Sequence, residues 1–197
     1  MKVTTGDVLR FAADEGDFRR QFERLYFDHV DALFQYGAKF RANQELVEDC
    51  VQELFADLWE DRDTLSTVKS VRSYLLGALR RKILRKIYTN HESPLETEDI
   101  FNFLHQHLAE AQSQDNTLTE EVSEQLVTAL HQLTNKQQEV LYLRFYNQLS
   151  FQEIAEIMSV QTRTVYKLAH RSLSTLKHYL SDSLHAFQAI LLFVFCQ

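Results

Sequence analysis

The sequence is short of the two residues that most often interrupt helices. Its 197 residues include one proline and four glycines, and β-branched residues rarely alternate along it in the way that predicts strands. Apolar residues make up 45% of the chain, which is too many for a disordered protein. The composition therefore predicts an all-α protein, and the length fits one large domain or two small ones.

Cysteine is also scarce, and the marks of several enzyme classes are missing. Cys50 and Cys196 lie too far apart in sequence to build a metal or disulfide framework. Cys50 falls in an apolar helical pattern and is expected to be a buried thiol. There is no glycine-rich phosphate loop, no Ser/His/Asp set and no pair of catalytic carboxylates. We therefore expect no enzymatic activity, no cofactor and no small-molecule substrate.

Long apolar runs are almost absent as well. The first sixteen residues hold no apolar stretch of the kind that a signal peptide needs, which favours a cytoplasmic protein. The apolar run at residues 186–195 is too short to span a bilayer, which takes about 20 residues. It is expected either to fold back on the helical domains or to dock on a partner. His105 and His107 have H-x-H spacing, but no cysteine or third histidine is close in sequence, so no metal site is expected.

The net charge of −7 is distributed unevenly along the chain. Residues 1–90 carry 15 basic and 15 acidic side chains, whereas residues 91–124 carry nine acids and no lysine or arginine. Residues 125–197 carry six bases against four acids. Basic patches can therefore form on both sides of a central acidic segment, despite the negative total.

Three stretches in the N-terminal half have helical apolar periodicity. They cover residues 18–41, 45–60 and 68–88, and three helices of this length can close a small core. Residues 89–119 differ, because they hold the single proline together with serine, glutamine and acids, and we predict a linker there. Helical periodicity returns from about residue 120, and a Thr134/Gln137 capping box predicts a helix that continues through Phe145.

Residues 149–177 read as two short helices joined by a tight turn. Ser150 followed by Glu153 predicts the start of the first helix, and the second is expected to begin at Gln161 or Thr162. The outward face of the second helix carries Arg163, Lys167, His170, Arg171 and Ser174 along one stripe. This pattern is typical of a helix-turn-helix that places its second helix in the major groove. The alternative is a solvated basic face on an ordinary helix hairpin.

A second basic element lies at residues 71–86, VRSYLLGALRRKILRK, which contains no acid. Tyr74 and Tyr88 flank its cations, and aromatic rings beside cations are one way in which single-stranded nucleic acid is held. A basic helix by itself is weak evidence, because such runs are often only solvated.

The order of these parts resembles the sigma-70 family of bacterial transcription initiation factors, in its small ECF (extracytoplasmic function) group. The stretch EDCVQELFADLWE is similar to the family's D-x-x-Q-E-x-F-x-x-x-W helix, and residues 133–177 are similar to its C-terminal domain. The resemblance implies two small helical domains. We expect a sigma region 2-like domain at 1–90, an acidic linker at 91–119, a sigma region 4-like domain at 120–182 and an apolar tail at 183–197.

The resemblance also implies a role for each group of residues. The polar face of helix 45–60 would dock on the coiled coil of the largest subunit of core RNA polymerase. The 71–86 helix would bind the −10 element of the promoter, and the helix-turn-helix would bind the −35 element. The polymerase set is Asp49, Gln52, Glu53 and Asp57; the −10 set is Arg72, Tyr74, Arg80, Arg81, Lys82 and Arg85; the −35 set is Gln161, Thr162, Arg163, Thr164, Lys167, His170 and Arg171.

One stretch departs from the family pattern. Arg81 and Arg85 stand where asparagine and aspartate are common in the family's third helix, which affects the details of −10 recognition. The family also implies an anti-sigma protein as a partner. Two other functions stay open at this stage: a free-standing helix-turn-helix regulator with an N-terminal sensing or dimerisation domain, and an adaptor that occupies polymerase without reading DNA.

Overall fold

The protein is described by a computed structural model, which covers residues 15–40, 43–61, 68–90, 125 and 128–179. Every regular element in these ranges is a helix, so the all-α prediction is confirmed. The N-terminal helices form one compact unit, and the C-terminal helices, apart from residues 156–158, form a second. Within the described ranges, no helix is both long and apolar enough to cross a membrane. The acidic linker, His105, His107 and the apolar tail lie outside the described residues.

The first unit contains three long helices and a short 3₁₀ helix. Helix α1 spans Glu15–Gly37 and is followed by the 3₁₀ helix Ala38–Phe40. Helix α2 spans Gln44–Glu60, and helix α3 spans Val71–Asn90. The side chain of Asn43 caps α2 by accepting a hydrogen bond from the backbone N–H of Glu45 at 3.2 Å. The three predicted N-terminal helices are therefore present, with ends shifted by a few residues.

The core of this unit is built from the apolar stripes that the periodicity indicated. Cys50 is fully buried, as predicted, and burial raises the pKa of its thiol. An aromatic cluster joins α1 to the end of α2, with the Trp59 ring 5.0 Å from the rings of both Phe18 and Phe22. The main buried side chains of the unit are Phe18, Leu25, Leu33, Tyr36, Leu46, Val47, Cys50, Val51, Leu54, Phe55, Leu58, Leu75, Leu76, Leu79 and Ile83.

The second unit begins its described part with helical residues at 125 and 128–131, followed by α4 at Asn135–Leu141. The predicted capping box is present, because the side-chain oxygen of Gln137 accepts a hydrogen bond from the backbone N–H of Thr134 at 2.9 Å. The prediction that this helix continues through Phe145 is wrong in detail. The chain changes to a π-helix at Tyr142–Tyr146, where the N–H of Asn147 bonds to the carbonyl of Tyr142 at 3.1 Å.

Helices α5, Phe151–Met158, and α6, Thr162–Tyr179, form the predicted helix-turn-helix. The Ser150 hydroxyl accepts from the N–H of Glu153 at 3.2 Å, and the Glu153 carboxylate accepts from the N–H of Ser150 at 2.9 Å. Ser159 turns the chain with a φ of 55°. The buried faces of the two helices, which include Ile154, Ala155, Val165, Ala169 and Leu176, leave the opposite face of α6 exposed.

Gly37, at the end of α1, lets α2 approach closely. A Cβ placed there would overlap a γ-methyl group of Val47, whose branched side chain has little rotamer freedom. We expect Gly37→Ala to lower the free energy of unfolding by about 1–3 kcal/mol, because the core has no room for the added methyl group. Gly16→Ala, at an exposed position of the same helix, is the matched control and should be neutral or stabilising. Urea unfolding of the full chain measures both, and an equal response of the two variants would contradict this account.

Lys39, in the 3₁₀ helix, is a half-buried cation whose desolvation lowers its pKa to about 7. Because the unfolded chain holds the Lys39 proton more tightly than the folded chain does, Lys39 makes stability rise with pH between about 7 and its ordinary value of 10.5. We expect Lys39→Met to raise the free energy of unfolding, and to raise it more at pH 6 than at pH 9.5. Urea unfolding at the two pH values measures this difference; a gain independent of pH would show that Lys39 is not desolvated.

Candidate functional site

A row of three carboxylates lies on the exposed face of α2. Asp49, Glu53 and Asp57 are spaced four residues apart, and their side chains are 66%, 50% and 66% exposed. Gln52 is exposed beside them. The opposite face of the same helix, including Leu54 and Leu58, is buried in the core of the first unit. The core thus fixes which side of α2 presents the acids, and all four predicted polymerase residues lie on that side.

Two lysines of α3 reach this acidic row. The Lys82 ammonium lies 2.7 Å from an oxygen of Asp57 and 3.7 Å from one of Glu53. The Lys86 ammonium lies 2.8 Å from Glu53 and 3.7 Å from Asp49. The two cations therefore alternate with the three carboxylates in one connected arrangement, which we name the ion-pair row.

The ion-pair row changes the protonation behaviour of its central pair. The hydrogen bond from Lys86 lowers the pKa of the Glu53 carboxyl group, and the same bond raises the pKa of Lys86. Both groups consequently stay charged across the physiological pH range. The lysine side chains are only 21% and 25% exposed, so their stems lie in the groove between α2 and α3 while the carboxylates remain accessible.

The remaining predicted −10 residues are divided between two environments on α3. Arg81 and Arg85 are exposed, whereas Arg72 and Arg80 are half-buried. Tyr74 is also half-buried, and burial raises the pKa of its phenol. Lys82 differs from the arginines because its ammonium group points to α2. The basic run that looks uniform in sequence thus supplies an outward arginine pair and an inward lysine pair, and Lys86 was missing from the predicted set.

The predicted −35 residues lie around the exposed face of α6. Arg163, Lys167, His170 and Arg171 are all exposed and line one shallow depression. Gln161 precedes the helix, and its carbonyl oxygen accepts from the N–H of Thr164 at 2.8 Å. Gln161 and Thr164 are exposed and Thr162 is half-buried.

Tyr166 also lines this depression, and sequence reasoning overlooked it. Its side chain is 55% exposed, and its ring lies 4.3 Å from the ring of Phe151 at the start of α5. The Arg144 guanidinium lies 4.9 Å from the Phe151 ring and donates to the carbonyl of Leu149 at 2.9 Å. The Phe151 ring, itself in contact with Arg144, thus packs against the Tyr166 ring and holds it among the cations that line the depression. The position of Tyr166 three residues after Arg163 was the signal available in the sequence, but the predicted stripe included only polar and basic residues.

Comparison with protein-family models gives two matches, in the order in which the two units occur. The model for sigma-70 region 2 matches residues 25–91, and the model for sigma-70 region 4 matches residues 123–176. Together they match more than half of the chain. The first covers α2 with its acidic row and α3 with its cations, and the second covers the helix-turn-helix.

Individual proteins are also similar to this chain. The chain is 23% identical over 150 residues to RNA polymerase sigma factor SigV of Bacillus subtilis (strain 168), over 76% of this chain and 85% of that protein. Its fold is similar to that of the sigma factor RpoE solved with the anti-sigma factor NepR from Bartonella quintana, with a TM-score of 0.56, 17% identity and coverage of 83% of this chain and 99% of that one. It is also similar to CnrH solved with the cytosolic domain of CnrY, with a TM-score of 0.54, 20% identity and coverage of 84% and 90%.

A free-standing regulator has no use for a region 2 domain, so the match over residues 25–91 disfavours that alternative. The acidic row, the basic helix beside it and the helix-turn-helix each fall inside the matching part of a sigma-70 model. The chain belongs to the sigma-70 family of RNA polymerase sigma factors, in its ECF group, whose members bind core RNA polymerase and direct transcription initiation at promoters.

Proposed function

We propose that the acidic row of α2 is the surface through which this sigma factor binds core RNA polymerase, at the coiled coil of the largest subunit. The observation that carries the proposal is the geometry of Asp49, Glu53 and Asp57, which are accessible along one stripe of a helix whose other face is packed in the core. Gln52 adds an exposed amide beside the row. Such a row fits a partner that carries several cations.

The promoter contacts are proposed to divide between the two units. For the −10 element we assign Arg81 and Arg85 to phosphates, because they are exposed. The half-buried Arg72, Tyr74 and Arg80 would position this surface. For the −35 element we assign base reading to Arg163 and phosphate contacts to Lys167 and Arg171. The other members of this set are Gln161, Thr162, Thr164 and His170.

Four further features of the whole protein are part of the proposal. The boundaries are those given above, with the acidic linker at 91–119 joining the two domains. The chain is no enzyme itself, because the chemistry belongs to the polymerase that it directs. It acts in the cytoplasm, where that polymerase works. An anti-sigma protein is its regulatory partner, a proposal supported by the solved similar structures, one of which is a sigma factor bound to the anti-sigma factor NepR.

The first test is competition for core RNA polymerase. We expect the full chain to bind purified bacterial core enzyme and to exclude the housekeeping sigma factor. The variant Asp49→Asn/Glu53→Gln/Asp57→Asn, named the neutral-row variant, should bind on the order of tenfold more weakly or worse, because it loses the charges that face the partner. Fluorescence titration with labelled core enzyme measures both effects.

The matched control removes the same number of charges from α1, at three exposed acids. Glu23→Gln/Asp28→Asn/Asp31→Asn should bind as the natural chain does. If the natural chain did not compete and instead bound duplex DNA tightly by itself, the protein would be an ordinary helix-turn-helix regulator.

Tyr166 is proposed as a further −35 residue. Its ring is exposed in the middle of the cationic depression and is supported by Phe151, so it presents a fixed apolar edge to the major groove. The one apolar group that base edges show there is the C5-methyl group of thymine. We therefore assign Tyr166 to a thymine in the −35 element.

Replacing that thymine by deoxyuridine should weaken binding of the holoenzyme about fourfold, which corresponds to ~0.8 kcal/mol for one buried carbon group. The promoter fragment is first selected from a random library with the natural holoenzyme. Tyr166→Ala should bind both fragments equally, Tyr166→Phe should keep the difference, and Tyr179→Ala, at an exposed tyrosine outside the depression, should keep it too. Equal sensitivity of Tyr166→Ala and the natural chain would reject the assignment.

A further inference from the structure

We propose that Lys82 and Lys86 are internal counter-ions of the polymerase-binding surface, which the cations of the partner replace when it docks. The inference rests on the proposed function of the acidic row. It adds that two residues of the same chain lower the affinity of this surface for core RNA polymerase. Neither lysine belongs to the polymerase set that the sequence predicted.

The first step in the argument is the pairing itself. Every carboxylate of the row has a lysine ammonium within 3.7 Å, and Glu53, in the centre, has both. A basic partner that docks on Asp49, Glu53 and Asp57 therefore approaches groups that are already paired. It must share them with Lys82 and Lys86 or displace those ammonium groups.

The second step is charge. Three carboxylates and two ammonium groups leave the ion-pair row with a net charge of −1, whereas the carboxylates alone carry −3. Long-range attraction of a cationic partner depends on that net charge. The lysines therefore weaken the electrostatic field that the row presents to a partner.

The third step is that exchange costs little. The carboxylates are 50–66% exposed, and the ion pairs of such solvent-accessible carboxylates contribute little net stability. Partner cations that reach the same oxygens at a drier interface form stronger pairs. The lysine stems can keep their apolar packing between α2 and α3 while the ammonium groups move away, so docking does not require the helices to separate.

The test compares charge and packing at the same two positions. Lys82→Met/Lys86→Met keeps the length and apolar stem of each side chain and removes its charge. We expect this variant to bind core RNA polymerase about threefold to tenfold more tightly than the natural chain at low salt, because Lys82 and Lys86 no longer compete with the partner for the carboxylates. The gain should shrink as salt rises, since the added attraction is electrostatic. Binding is measured by titration of labelled core enzyme with full-length chain, without DNA.

The matched control is Lys82→Arg/Lys86→Arg, which keeps both charges and should bind as the natural chain does. In the neutral-row variant, the two methionine substitutions should raise the affinity less than they do in the natural chain, because no carboxylates remain for the lysines to occupy and only the repulsion between the lysines and the cationic partner is removed. Circular dichroism and thermal unfolding check that each variant is folded. If the double variant is unfolded, the single variants Lys82→Met and Lys86→Met are measured in its place, each with a smaller gain.

The results separate the inference from the function on which it rests. Methionine variants that are folded and bind as tightly as the natural chain, or more weakly, overturn the counter-ion role; weaker binding would mean that the lysines orient the carboxylates for the partner. If the neutral-row variant still loses binding in that case, the acidic row remains the polymerase surface. If the neutral-row variant binds like the natural chain, the assignment of the row itself fails.

Discussion

Helix α2 has one face buried in the core and one face that presents the acids, and the arrangement of the first unit depends on this division. One face, with Leu54 and Leu58, is removed from water by packing against its neighbours, and that burial fixes the rotation of the helix about its axis. The rotation decides that Asp49, Glu53 and Asp57 point outward. Because Gly37 has no side chain, the end of α1 can lie close to Val47 of α2. The positions of the acids on α2 are therefore as well defined as the packing of the core beneath them.

The same burial places α3 so that its positive charges serve two purposes. Leu75, Leu79 and Ile83 are fully or almost fully buried, which turns Lys82 and Lys86 toward the acidic row and leaves Arg81 and Arg85 exposed. Ammonium and guanidinium groups are suited to these different places. The flexible lysine stem covers the groove between two helices, whereas the planar arginine fork suits phosphates.

In the second unit, the helix-turn-helix is held by local signals that agree with one another. The Ser150/Glu153 capping box starts α5, and Ser159 adopts the positive φ that ends it. Because these devices are local, they could be predicted from neighbouring residues. The support of the Tyr166 ring by Phe151 could not be predicted, because the two residues are fifteen positions apart and the periodicity along α6 does not indicate a contact with α5. The π-helix at Tyr142–Tyr146 was missed for a similar reason, since the helical pattern of apolar residues continues across it.

The sequence by itself determined the helical class, the position of the three N-terminal helices, the helix-turn-helix and the family. The first three depend on periodicity, capping or spacing within a short stretch, and the family was indicated by resemblance. Only the tertiary structure decided how the basic run of α3 is used. RRKILRK shows five cations in seven residues, but the packing of α3 on α2 assigns the lysines to carboxylates and the exposed arginines to the surface. Which charges pair depends on the distances between side chains on different helices. The order of residues along one helix does not give those distances.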